Sequence, residues 1–187
     1  MTEGTTCVPV KVQRTIGAPA DRIFSVLADP GRHQELDGSG MLRGAATEGA
    51  VAGLGDVFTM KMFFEGMGDY QMDNLIVAFE EDRRIAWAPR MHGTELAADD
   101  SGSNGSRWMF ELEPQGPEVT LVTEVYDCSA SPAEVRATVA DGTAWIGAME
   151  ATLERLDAAC TGGRQSAPSV GSVGRGRQSA PSVGELV

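Results

Sequence analysis

Few side chains in this 187-residue sequence could carry out chemistry, and no two of them form a familiar reactive set. His33 could act as a general acid or base, because an imidazole with a pKa of about 6.5 suits proton transfer at neutral pH. It sits in a polar segment with no partner that the sequence identifies, so a surface or capping role is its first reading. His92, at the border of a polar loop, is read the same way. Tyr126 could donate a hydrogen bond to a ligand carbonyl, and Arg90, at a strand end, could hold a carboxylate. Asn74, Glu124 and Asp127 also fall on predicted strands. Facing inward, any of these would be a polar group in an apolar setting that needs a partner or a ligand. Outward-facing strand polarity is the first reading for all of them.

The richer set is apolar: Phe58, Met60, Met62, Phe64, Met72, Trp87, Met91, Trp108, Trp145 and Met149. Methionine is flexible and polarizable, and suits a pocket that accepts irregular apolar molecules. From the residues alone, filling a core is the first reading. Other signatures are missing. Gly53-Leu54-Gly55 and Gly66-Met67-Gly68 are followed by no Lys-Ser/Thr pair and open no predicted helix, so they read as turns rather than phosphate loops. No serine has a nucleophile-elbow context. Cys7, Cys128 and Cys160 are too scattered for a disulfide framework or a zinc site. No metal and no cofactor is expected.

The charge narrows the partners. The formal net charge is −12, and the first 160 residues hold 26 of the 27 acidic residues against 12 of the 15 basic ones. Such a surface repels phosphate backbones and anionic lipid, so neither nucleic acid nor membrane insertion is expected. No run of eighteen apolar residues occurs, and the start MTEGTTC lacks a basic-then-apolar signal pattern. A cytoplasmic location is the expectation. The oligomeric state is open.

The elements that must position these residues alternate along the chain. Residues 7–16 alternate apolar and polar as a strand, and Pro19 opens a helix with Ile23, Phe24, Val26 and Leu27 on one side. Asp29-Pro30-Gly31 ends it, and a short extra turn follows. Six strand candidates come next, the clearest being 56–65 and 107–113. The stretch 70–80 has a divided apolar face, Met72 and Ile76 against Leu75, Val77 and Phe79, which a β-bulge would reconcile. Residues 92–106 read as a polar loop.

The chain then turns to a helical pattern over 132–159, with Val135, Val139, Gly142, Ile146, Met149, Leu153 and Leu156 on one stripe. Ser131 could cap it, with Pro132 in the first turn and Glu134 completing a capping box. Short turns between strands favour an antiparallel meander, and segregated helices make the class α+β. One domain over 1–160 is expected. In residues 161–187 the segment GRQSAPSVG at 163–171 recurs at 176–184, and its Gly/Ser/Pro/Arg composition predicts a disordered tail.

The order of elements, with IGAPADRIFSVLADPGRHQELDG near the start and FEEDRRIAWAP in the middle, resembles the START-like or SRPBCC superfamily, which includes the birch-pollen-allergen fold and the polyketide cyclase/dehydrase proteins. The likeness covers about residues 8–158. It departs where many members carry Trp just past the position of His33, since this chain has Glu35-Leu36 there. The resemblance implies a helix-grip fold, a curved antiparallel sheet of six or seven strands around a long C-terminal helix, with a cavity between them. For Met60, Met62, Trp87 and Trp108 it brings cavity lining level with core filling.

Three functions are then in play. The first is enclosure of a hydrophobic small molecule such as a lipid, polyketide or quinone. The second is an enzyme of the polyketide cyclase/dehydrase type in the same cavity, with Tyr126, His33 or Arg90 as candidate catalytic groups. The third is an interaction module like the heat-shock ATPase activators. An open cavity with a polar residue well inside favours the enzyme, and a wholly apolar one favours the carrier. A filled interior with an exposed apolar patch favours the interaction module.

Overall fold

A computed structural model describes residues 7–94 and 103–162. Its elements follow the predicted order: β1 (Val10–Ile16), α1 (Ala20–Leu27), α2 (His33–Leu36), β2 (Leu42–Ala45), β3 (Val57–Phe64), β4 (Gly68–Glu80), β5 (Arg84–Met91), β6 (Arg107–Gly116), β7 (Val119–Asp127), α3 (Ala133–Thr138) and α4 (Ile146–Thr161). The seven strands form one antiparallel sheet in the order β1-β7-β6-β5-β4-β3-β2. From β2 to β7 neighbours in sequence are neighbours in space. Only β1 crosses over, and it pairs with the last strand. The fold is α+β of the helix-grip kind, with α4 packed against β1, α1 and α2.

Alternation along each strand divides core from solvent. Ile16, Phe58, Ile76, Ile85, Phe110 and Val122 point to the helices and meet Ile23, Leu27, Leu153 and Leu156 in one cluster. Each such side chain, fully buried, contributes about 1.5–3 kcal/mol before entropy is counted. The divided face of β4 has a bulge as its cause. Its register with β5 shifts between Ile76 and Ala78, so Met72, Asn74 and Ile76 lie inward before the shift and Phe79 after it.

The C-terminal helix is shorter than its stripe. Ala140 (φ 48°), Asp141 (φ 51°) and Gly142 (φ 95°) turn the backbone left-handed, and a 3-10 turn over Ala140–Trp145 separates α3 from α4. Packing accounts for the break. A Cβ on Gly142 would stand 3.0 Å from both Tyr126 and Val10, so the chain dips to the sheet where only glycine fits. Of the stripe, Gly142, Met149, Leu153 and Leu156 are buried; Ile146 is exposed and α3 buries nothing. The expected cap also differs. Pro132 holds the N-cap position of α3, and the buried Ser131 hydroxyl has no partner.

A second close approach ties α2 to α4. Gly38 donates its N–H to Thr152 Oγ1 at 3.1 Å, and a Cβ there would land on the Ala148 carbonyl oxygen. Cys7 and Cys128, at the ends of β1 and β7, bring their free thiols to 3.6 Å. No helix among the described residues is long and apolar enough to cross a membrane. The repeated tail and residues 95–102 of the polar loop lie outside the described residues.

Candidate functional site

Between the sheet and α2, β2 and α4 lies a cavity of about 310 Å³. Its walls come from every second residue of five strands: Phe58, Met60 and Met62 of β3; Tyr70, Met72 and Asn74 of β4; Trp87 and Pro89 of β5; Trp108 and Phe110 of β6; Glu124 and Tyr126 of β7. Leu36, Asp37 and Leu42 close one side, and Trp145, Ala148 and Thr152 the other.

The rings sit in two groups. His33 stacks on Trp87 at 5.5 Å and meets Phe58 edge-on, and Trp87 stacks on Phe110 at 5.8 Å. At the other end Trp108 touches Tyr126 (4.5 Å) and Trp145 (5.7 Å). These groups follow from the register, which aligns Trp87, Trp108 and Tyr126 across three strands.

Polar groups interrupt the apolar wall at a few points. Glu124 is 3 % exposed, flanked in the sheet by Phe110 and Val12, and its Oε2 has no hydrogen-bond partner. Burial, reinforced by the negative charge of Asp37, pushes its carboxyl up to about 8, so it holds its proton at pH 7. Asp37 is satisfied differently, accepting bonds from the Ser39 N–H and hydroxyl and from the Leu42 N–H. His33 is buried, with Nε2 2.8 Å from the Leu27 carbonyl, and desolvation lowers its pKa. A neutral ring donating from Nε2 fits both facts. The Asn74 amide donates to the Met72 and Phe58 carbonyls. Burial raises Tyr126, and the neighbouring Ser106 and Trp145 act against that rise. The Trp145 Nε1–H is buried with no acceptor in hydrogen-bond geometry.

Most of the candidate residues meet here. Phe58, Met60, Met62, Met72, Trp87, Trp108, Trp145, Tyr126 and His33 all line the cavity. Three do not. Phe64 keeps the alternation of β3 but lies past the cavity at the β3–β4 turn, 53 % exposed. Met149 is buried behind the wall against Tyr126 and Cys128. Arg90 has the wrong parity: Trp87 and Pro89 face in, while Arg90 pairs across the sheet with Asp73. Asp73 also accepts from Thr59 Oγ1 and contacts His92 Nδ1 at 2.9 Å, so His92 belongs to that cluster.

The first readings of His33, Asn74, Glu124 and Tyr126 also change, because all four are buried and inward. Asp127 alone stays half-buried, accepting from the Ser129 N–H. Asp37, Ser39 and Ser106 had no signal beyond turn chemistry. Among the described residues no Lys or Arg lines the cavity; Arg43 and Lys61 border a separate depression that shares only Met62 and Tyr70 with it. Among the described residues no group of His, Cys, Asp or Glu could hold a metal ion.

No family model matches the chain. Among curated proteins, the uncharacterized protein Rv0088 of Mycobacterium tuberculosis is 33% identical over 127 residues, covering 67% of this chain and 50% of its own. The uncharacterized protein MT0096 of another strain of that species matches to the same extent. The chain thus spans about half the length of the curated relatives it matches. Among solved structures, protein Ms6760 from Mycobacterium smegmatis superposes with a TM-score of 0.59 at 18% identity, over 84% of this chain and 93% of its own. A Rhodobacter sphaeroides protein gives 0.60 at 14%, over 85% and 95%. At these identities the likeness is one of fold.

Proposed function

We propose that this chain is a START-like domain of the SRPBCC type, over about residues 1–160, that encloses a mainly apolar small molecule between sheet and C-terminal helix. The observation that carries the reading is the cavity of about 310 Å³ walled by three Trp, two Phe and four Met side chains. Apolar burial would supply affinity, at about 25 cal/mol for each Å² removed from water, and the polar groups would set orientation. An unfilled interior also weighs against the interaction-module reading.

The test is native mass spectrometry with the neutral dye N-phenylnaphthylamine. One equivalent should bind the wild-type protein, and Met72→Trp, which fills the cavity from β4, should abolish binding while the circular dichroism spectrum is kept. A wild-type protein that takes up no dye sinks the proposal.

A second reading, catalysis, is favoured by one observation: the unpartnered Glu124 carboxyl inside the cavity, titrating near neutrality. Such a group can donate a proton to a ligand oxygen and take one back. Tyr126, two residues along the same face of β7, would hold the reacting oxygen. Turnover of a carbonyl substrate lost in both Glu124→Gln and Tyr126→Phe would support this reading. Equal turnover in Glu124→Gln would refute it.

A further inference from the structure

The charge inside the cavity is one-sided. Among the described residues two carboxyl groups, Glu124 and Asp37, reach its lining, and no Lys or Arg does. The other titratable groups facing it are His33 of α2, Tyr70 of β4 and Tyr126 of β7. His33 is kept neutral by burial, and both tyrosines are held in their phenol form by burial. Among the described residues nothing on the wall can therefore neutralise an anion. Glu124 is the unpaired member, 3 % exposed with Oε2 unengaged.

The aromatic surface has the same preference. Trp87, Trp108 and Tyr126 are aligned across β5, β6 and β7, and an aromatic ring attracts a cation through its quadrupole where a face is open to it. An acidic molecule of net charge −12 also enriches cations around itself.

We propose that the cavity selects molecules in which an ammonium group is carried on an apolar, ring-sized body, with the cation held between Glu124, Asp37 and the aromatic wall. This rests on the enclosed-ligand reading and names its ligand class. Binding has a proton balance. The empty cavity holds Glu124 protonated at pH 7, and an arriving ammonium ion favours the carboxylate, so the carboxyl proton leaves to solvent as the ion pair forms. Anionic amphiphiles such as fatty acids meet Asp37 and are refused.

Three molecules of nearly one shape test this: naphthylethylamine, naphthylethanol and naphthylacetate, titrated calorimetrically at pH 7 in two buffers of different ionisation heat. The amine should bind about tenfold more tightly than the alcohol, with release of about one proton per site, and the acetate should not bind. Glu124→Gln, similar in shape but unable to ionise, should bring amine and alcohol to equal affinity and abolish the proton release. If the alcohol binds the wild-type protein as tightly as the amine, or if Glu124→Gln leaves the amine unaffected, the charge preference is refuted while the cavity reading stands. If none of the three binds while the neutral dye does, the ligand class is refuted and the cavity reading stands; if the dye fails as well, both fall.

Discussion

Glu124 concentrates the residue-scale consequences. A buried carboxyl whose pKa rises from 4.5 to about 8 costs the fold stability at higher pH, because the unfolded chain ionises there and the folded one does not. Below the ordinary value both states are protonated and nothing is lost. Between that value and about 8 the loss grows at about 1.4 kcal/mol per pH unit, and above it the loss is constant. Urea denaturation at pH 5 and pH 8.5 should show the wild-type protein losing several kcal/mol more than Glu124→Gln over that interval. Parallel curves would mean that Glu124 ionises as freely folded as unfolded.

His33 shifts the other way. Its lowered pKa keeps the ring neutral at pH 7 and above, and in an NMR titration its ring signals should move at a lower pH than those of an exposed imidazole. Neither residue could be assigned from the sequence. The strand VTLVTEVYD carries apolar residues on both faces, and Val125 is buried on the side away from the cavity just as Val122 is on the inner side. Alternation without an exposed face leaves the parity of Glu124 and Tyr126 undecided. His33 was hidden for a different reason: its neighbours are polar, and its burial comes from Phe58 and Trp87, distant in sequence.

At the scale of elements, two glycines do what no pattern of apolar residues reveals. Gly38 lets the segment after α2 touch the backbone of α4, and that contact shuts one side of the cavity. Gly38→Ala must separate the two backbones. We expect it to lower stability by about 1–3 kcal/mol and weaken dye binding several-fold, while Gly53→Ala, which meets nothing, changes neither. Thermal unfolding and dye titration of the pair would check this. Gly142 explains the failed helix boundary. Its place in a perfect four-three spacing argues for continuity, yet the residue is there because the backbone leaves the helix. Where the sequence carried a contradiction, as in the divided face of β4, the bulge could be inferred. Where it carried none, the break could not.

For the whole molecule, the antiparallel class, the strand count and the closing helix were legible, because turn residues and alternation are local signals. The cavity was not. A wall of Met and Trp looks the same as a core until the distance between sheet and helix is known. The distribution of burial along the C-terminal region also governs how the molecule opens. α4 anchors itself through Met149, Leu153, Leu156 and Cys160, whereas α3 buries no side chain, and the left-handed residues between them interrupt the ladder of backbone hydrogen bonds. Unravelling residues 133–138 therefore exposes little apolar surface, and their amides should exchange with deuterium orders of magnitude faster than those of 149–160, which wait for global unfolding. Equal protection along both stretches would mean that they open as one unit. Slow breathing is thus confined to the end of the molecule where Tyr126 and Trp145 stand, and residence inside the cavity can be set by a local opening while the sheet stays intact.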